Sequence, residues 1–227
     1  MTLVLIVRHG LTASTGSALT GWMPGIPLDD RGRDQAGALA QRLTPVALDA
    51  IVSSPLDRCQ QTAQAVAAGR PGLALQTDER VGECRYGDWT GQPLKRLARE
   101  PLWRVVQAHP SAVRFPGSEG ESLADMQHRA VAAIRDWNAR LGPDATYLVC
   151  SHGDVIKSIL ADGLGMHLDA MQRIQVDPCS LSVIRYTPLR PFVLRVNDTG
   201  GDVSGLRRPD RAAARRPEAR VGGGDGS

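Results

Sequence analysis

Two histidine–glycine pairs each follow a short apolar run in this sequence. The run "LVLIV" ends in "RHG" and the run "YLVC" ends in "SHG", which puts His9 and His152 directly after two predicted buried strands. Ligands of open α/β sheets bind beyond the carboxyl ends of the strands, so we expect both imidazoles to face one crevice. Imidazole titrates near pH 6.5, so a neutral ring can act as a nucleophile while a protonated ring binds an anion.

Two arginines accompany these histidines. Arg8 precedes the first histidine, and Arg58 lies about a turn into the helix that follows a third predicted strand, "IVSS". Guanidinium groups bind phosphate oxygens in a bidentate manner, and a phosphoryl dianion carries about −1.5 to −2 charges near neutral pH. Two arginines and one protonated histidine would offset that charge and leave the other histidine neutral. The glycines, Gly153 among them, let a ligand approach backbone N–H groups, so the pattern predicts a phosphoryl site.

Phosphoryl transfer also needs an acid that protonates the leaving oxygen, and the segment "ERVGECRYGDWTG" offers three. Glu79, Glu83 and Asp88 are equally suitable from the residues alone. The remaining histidines, at positions 109, 128 and 167, lack a comparable context, and we expect them on the surface. Cys179 and Arg185 have the C-x5-R spacing of cysteine-dependent phosphatases, but "CSLSVIR" lacks glycine and alternates like a half-buried strand, which argues against that reading.

The elements that must position these residues alternate between strand and helix. This alternation predicts an α/β fold, a three-layer αβα sandwich with a mostly parallel central sheet. The predicted strands cover residues 3–7, 48–54, 73–80, 145–150, 180–186 and 191–198, and the predicted helices cover 28–43, 55–69, parts of 93–107, 122–141 and 154–164. Pro55 is expected in the first turn of the second helix, and Ser122 with Asp125 resembles a capping box.

Length and composition predict one catalytic domain, residues 1–199, followed by a disordered tail, residues 200–227. The formal net charge is +3, and the tail, with six Arg and four acidic residues, contributes +2 of it. The nearly neutral body argues against a nucleic-acid partner. No apolar run approaches the roughly 18–20 residues that span a bilayer, and no signal peptide opens the chain. The four cysteines lack C-x-x-C spacing, so we expect a cytoplasmic protein with reduced thiols and no membrane partner.

The motifs "VLIVRHGLT", "SSPLDRCQQTA", "GECRYGDWTG" and "LVCSHGDVI", in this order, resemble the histidine phosphatase superfamily, in its phosphoglycerate-mutase-like branch. The resemblance covers roughly residues 3–190. It implies that His9 is the nucleophile that becomes phosphohistidine, that Glu83 is the general acid, and that His152 is a further catalytic residue. It implies neither a metal nor a cofactor.

The same resemblance implies two sets of binding residues. The phosphate-binding set is Arg8, Arg58, His152, Gly153 and Ser14, and the substrate-binding set is Thr20 and Gly21 of "LTGW" with Tyr86. Two positions depart from the family pattern. Leu11 stands where an acidic residue or Gln is frequent, and Ser14 replaces a common Asn, although its hydroxyl still donates one hydrogen bond.

The expected function is a metal-independent phosphatase that hydrolyses a small phosphorylated metabolite, as a monomer or a homodimer. A phosphomutase of the phosphoglycerate type is the first alternative, and a non-catalytic phospholigand-binding protein is the second. A mutase needs extra cations to hold the second acidic group of its substrate. In residues 83–120 the Arg and Lys residues are scattered among Leu, Val and Trp, which is typical of an amphipathic surface and favours the phosphatase.

Overall fold

Six strands form one sheet in the computed structural model of this chain, which describes residues 1–201. They are β1 (Thr2–Arg8), β2 (Ala50–Ser53), β3 (Leu75–Thr77), β4 (Thr146–Ser151), β5 (Leu181–Tyr186) and β6 (Pro191–Asp198). The spatial order is β3-β2-β4-β1-β5-β6, in which the first four strands are parallel, β5 is antiparallel to β1, and β6 is antiparallel to β5. The mostly parallel sheet is therefore confirmed. The predicted tail lies outside the described residues except for its first two.

Helices cover both faces of the sheet, which confirms the three-layer arrangement. They are α1 (Asp30–Arg42), α2 (Asp57–Ala67), α3 (Leu94–Leu97), α4 (Pro101–Ala108), α5 (Leu123–Leu141) and α6 (Gly153–Gly163). Alternate strand residues point to opposite faces. Leu5 and Val7 of β1 pack against α1 and α2, whereas Val4 and Ile6 pack in the core that includes α5 and α6.

The sheet has its topological switch point between β1 and β4. These neighbours are parallel and in register, so that Arg8 pairs with Ser151 and both strands end at one level. The helix after β1 covers one face and the helix after β4 covers the other. The two connections therefore diverge and leave a crevice at the carboxyl ends of the strands, which is where such sheets bind ligands.

Of the predicted boundaries that differ from the structure, three have a clear local reason. Pro55 precedes α2, because the extended Leu56 is the residue before its first turn. The helical region 93–107 is two helices, since Pro101 opens α4 and Glu100 before it is extended. Strand β3 ends early because Asp78 caps a short 3-10 helix that follows it.

Several other expectations hold. Ser122 caps α5 by accepting a hydrogen bond from the backbone N–H of Asp125. All four cysteines are free and buried. The three histidines expected on the surface are exposed. Within residues 1–201, every helix is too short or too polar to cross a bilayer.

Candidate active site

A cavity of about 300 Å³ opens at the carboxyl ends of β1 and β4. The sheet supplies its floor, and two long loops form its walls: the loop after β1 and the segment after β3. These loops are joined to each other by backbone hydrogen bonds, among them Leu19 N–H to the Gln92 carbonyl and Gly91 N–H to the Leu19 carbonyl. Nearly all of the site residues predicted from the sequence line this one cavity: Arg8, His9, Ser14, Thr20, Gly21, Arg58, Glu83, Tyr86 and Gly153.

His9 lies on the floor of the cavity and is 6% exposed. Its Nδ1 is 2.7 Å from the carbonyl oxygen of Gly10, so Nδ1–H donates and Nε2 keeps a free lone pair. Burial, together with the positive charges of Arg58 and Arg8, lowers the pKa of His9 to about 3. His9 is therefore a neutral imidazole near pH 7, in the tautomer that a nucleophile requires.

Gly10 fixes the turn that carries this histidine. A Cβ at position 10 would lie 2.6 Å from the carbonyl oxygen of Gly32, in the first turn of α1. The backbone N–H of Gly10 donates to the hydroxyl of Thr62 on α2. Glycine at position 10 therefore allows two backbone segments to pack closely. The sequence alone predicts a different reason for this glycine, namely that it lets a ligand approach the backbone.

Two guanidinium groups flank His9. Arg58 is 2% exposed and donates through Nη2 to the Gly21 carbonyl at 2.8 Å. Arg8 donates through Nη1 to the Val176 carbonyl at 2.7 Å, while its buried Nε has no hydrogen-bond partner among the described residues. A buried donor without a partner is unfavourable, and an anion in the cavity would satisfy it. The two charges match a phosphoryl dianion.

His152 lies deeper than His9, is fully buried, and is not among the residues that line the cavity. Nη2 of Arg58 donates to Nδ1 of His152 at 3.2 Å, so Nε2 carries the hydrogen and donates to the Ser54 hydroxyl at 2.8 Å. The two imidazole centroids are 5.2 Å apart. Burial and the charge of Arg58 hold the pKa of His152 well below its usual value. Both rings are thus neutral near pH 7, whereas the sequence analysis expected one imidazolium.

The structure separates the three candidate acids. Only Glu83 of these lines the cavity, whereas Glu79 and Asp88 are exposed. Oε1 of Glu83 accepts from the Cys84 backbone N–H at 3.0 Å. Burial and the negative charge of Asp154 raise the pKa of Glu83 to about 7, against the opposing charge of Arg58. A carboxyl group with this pKa is protonated in a large fraction of molecules at neutral pH, as a general acid must be.

The residues predicted to contact substrate occupy the cavity walls. Tyr86 is 3% exposed and its hydroxyl donates to Oδ2 of Asp154 at 3.1 Å. Gly21 has φ +51°, and a Cβ there would be 3.0 Å from the Tyr86 ring, so both its conformation and its space require glycine. Thr20 and Ser14 line the same loop wall.

Several residues at the site were missed by the sequence analysis. Asp154 and Lys157, on the first turn of α6, line the cavity, and Ser54 holds His152. Arg129 on α5 holds the loop that carries Glu83, because it donates to the carbonyls of Gly82 and Glu83. One signal was available: Asp154 directly follows "SHG", and Lys157 is one of only two lysines in the chain.

The described residues contain no group of three His, Cys, Asp or Glu side chains that could hold a metal ion. The cavity instead combines guanidinium groups, a neutral imidazole and a protonatable carboxyl group. This set can bind an anion, attack it and protonate a departing oxygen.

Comparison with known proteins yields consistent matches. The family profile described as histidine phosphatase superfamily (branch 1) matches residues 4–199. A protein of Yersinia pestis (strain Pestoides F) named "Probable phosphoglycerate mutase GpmB" is 32% identical over 210 residues, which covers 91% of this chain and 95% of that protein.

Two solved structures illustrate the structural likeness. Bacillus stearothermophilus YhfR superposes with a TM-score of 0.80 at 28% identity, covering 87% of this chain and 98% of that one. The mycobacterial glucosyl-3-phosphoglycerate phosphatase in complex with VO3 superposes with a TM-score of 0.77 at 25% identity, covering 86% and 98%.

Proposed function

Because this chain belongs to the histidine phosphatase superfamily (branch 1), a superfamily of phosphatases and mutases, it is an enzyme, and we propose that it is a phosphatase. Its substrate is a small phosphorylated metabolite, hydrolysed through a phosphohistidine without a metal. We assign catalysis to residues 1–199, and we place the protein in the cytoplasm, since four free buried thiols are typical of a reducing compartment.

The observation that carries this proposal is the state of His9. Its Nδ1–H donates a hydrogen bond to the Gly10 carbonyl, so the free lone pair is on Nε2. The ring is neutral although two guanidinium groups line the same cavity. A protein that only bound phosphate would gain from a charged imidazole here. A neutral imidazole is instead what nucleophilic attack requires.

The steps follow from the positions of these groups. Nε2 of His9 attacks phosphorus and the bond from phosphorus to the ester oxygen breaks, while Glu83 gives its proton to the departing alcohol. A water then attacks the phosphohistidine, Glu83 takes a proton from this water, and the bond between phosphorus and Nε2 breaks to release phosphate. Arg8 and Arg58 stabilise the charge on the phosphoryl oxygens in both steps.

We assign His152 to the positioning of Arg58, to which it offers an acceptor at 3.2 Å. Its direct contact with a phosphoryl oxygen, and the phosphate contacts of Ser14 and Gly153, stay predictions. So do the substrate contacts of Thr20, Gly21 and Tyr86, which line the cavity walls.

A phosphatase is favoured over a mutase by the cations that reach the cavity. Arg8, Arg58 and Lys157 are the cations that line it in the described part of the chain. The cations of the segment after Glu83 point elsewhere, and those of α3 and α4, Lys95, Arg96 and Arg104, are exposed. The name of the Yersinia pestis relative favours the alternative, a phosphoglycerate-type mutase.

Two assays test the proposal. The protein should hydrolyse p-nitrophenyl phosphate with or without a chelator, and rapid acid-free quenching should trap a phosphoryl group on His9. Absence of both would leave the phospholigand-binding alternative.

With 3-phosphoglycerate and a bisphosphoglycerate primer, release of inorganic phosphate should exceed formation of 2-phosphoglycerate, and the reverse result would establish the mutase.

A further inference from the structure

An ion pair on the first turn of α6 lines the cavity beside the acid. Oδ1 of Asp154 and Nζ of Lys157 are 3.7 Å apart, three residues from each other along the helix, and both side chains are about one-fifth exposed. Asp154 and Lys157 line the same cavity as Glu83, and Asp154 accepts from Tyr86, three residues after Glu83 in the chain. The pair therefore faces the space that the leaving alcohol of the proposed reaction occupies.

Both members of the pair are fixed by further hydrogen bonds. The Tyr86 hydroxyl donates to Oδ2 of Asp154 at 3.1 Å, and Nζ of Lys157 donates to Oε1 of Gln172 at 3.0 Å. Because these two bonds join α6 to two other segments of the chain, those of Tyr86 and Gln172, the two charged groups keep their positions next to each other. The positive charge of Lys157 is consequently matched by a carboxylate rather than offered to a ligand.

The other two cations that line the cavity, Arg8 and Arg58, are the ones that we assign to the phosphoryl group. Arg58 donates to Gly21 and to His152. The guanidinium of Arg8 lies 3.7 Å from the position of a Cβ on Gly153, and its Nε, which has no partner among the described residues, is the donor left for the phosphoryl group. Among the other residues that line the cavity, Leu19, Leu94, Gln175 and Val176 are uncharged. A carboxylate on the leaving alcohol would lose its hydration and meet Asp154 without a free cation, which is unfavourable in a partly buried site.

We propose that the Asp154–Lys157 pair makes this enzyme select phosphomonoesters of uncharged polar alcohols, and that Asp154 is the residue that discriminates against carboxylate-bearing ones. A neutral polyol can donate a hydroxyl hydrogen to Asp154 and accept from Lys157 without adding net charge. This inference rests on the proposed phosphatase function and adds the chemical class of its substrate.

A matched substrate pair tests the inference. Glycerol 3-phosphate and 3-phosphoglycerate differ by a hydroxymethyl group in place of a carboxylate. The wild-type enzyme should favour glycerol 3-phosphate in kcat/KM by about tenfold or more. In Asp154→Asn, the preference should fall by about tenfold or more, mainly through a lower KM for 3-phosphoglycerate, because the repulsion disappears and Lys157 loses its partner. Lys157→Gln should strengthen the preference.

Controls separate the causes. The ratio of the two substrates cancels any effect of Asp154→Asn on Glu83, and circular dichroism reports folding. Asp162→Asn changes a carboxylate on the same helix that does not line the cavity, so it should leave the ratio unchanged. If the wild type lacks p-nitrophenyl phosphatase activity, the proposed function fails. If that activity is present but the ratio is near one, or neither variant changes it, this inference is wrong.

Discussion

The ends of β1 and β4 share the pattern of an apolar strand followed by His-Gly, yet their histidines differ in access to the cavity and in hydrogen bonding. His9 lines the cavity and uses one nitrogen for a backbone carbonyl, which leaves Nε2 free. His152 is fully buried and uses both nitrogens, one for Arg58 and one for Ser54. The difference arises from the neighbours, because β1 borders a long open loop and β4 leads directly into α6.

Under the proposed function, this contrast lets one sequence pattern serve two roles. A histidine with a single hydrogen bond to a carbonyl is set in one tautomer and can still react. A histidine whose second nitrogen already donates to a hydroxyl is held in place and can orient a neighbour. The predictions below test this division between a reacting and a positioning histidine.

The largest effect is expected for His9→Ala. Because this change removes the nucleophile, turnover of p-nitrophenyl phosphate should fall by more than about 10³-fold, and phosphohistidine should not form. Arg8 and Arg58 remain, so inorganic vanadate or phosphate should still bind, as measured by isothermal titration calorimetry. A variant that keeps more than a few per cent of wild-type activity would contradict the assignment.

His152→Ala should cost less activity and more stability than His9→Ala. It removes one buried hydrogen-bond partner of Arg58 and one of Ser54 and opens a cavity, so we expect the free energy of unfolding to fall by about 2–4 kcal/mol. Activity should fall by roughly 10–100-fold, since the nucleophile is intact but Arg58 is misplaced. Urea unfolding and steady-state kinetics measure both. Equal losses of activity in the two variants would place His152 in the chemical step.

The pH dependence should separate Glu83 from both histidines. The pKa of Glu83 is about 7 and its protonated form is the acid, so kcat/KM on an alkyl phosphate should fall about tenfold per unit above pH 7. The pKa of His9 is about 3, so it should add no acid limb between pH 4 and 6. The same pH profile of kcat/KM is measured for Glu83→Gln, and the ratio of the two profiles cancels the titration of the substrate. A ratio that does not change with pH would show that Glu83 is not the acid.

Sequence reasoning located the histidines and arginines because parallel strands bring their carboxyl ends together. Residue types alone could not choose among Glu79, Glu83 and Asp88, and only the family resemblance favoured Glu83, because the path of the segment after β3 depends on long-range contacts such as those of Arg129. The tautomers of His9 and His152 could not be predicted from the sequence either, since their hydrogen-bond partners Gly10, Ser54 and Arg58 reach them only in the folded chain.

The break between α3 and α4 could have been predicted from the sequence, because a proline within a helical pattern favours an extended residue before it. The pairing of Asp154 with Lys157 could have been predicted too, since residues three apart face the same side of a helix. Both features require the helix boundaries to be fixed first, because only then can the side chains that share one face be compared.

The smallest effect is expected for Ser54→Ala, which removes the acceptor of the Nε2–H of His152 and keeps the ring. The hydroxyl is buried, and the donor left without a partner costs about 1–3 kcal/mol of stability. Activity should change by less than about threefold, because Arg58 still holds Nδ1 and His9 is untouched. Ser180→Ala is the matched control, since the Ser180 hydroxyl is buried without a partner among the described residues and its removal should cost little. A rate loss above tenfold in Ser54→Ala, with normal phosphate binding, would show that the protonation of His152 takes part in catalysis.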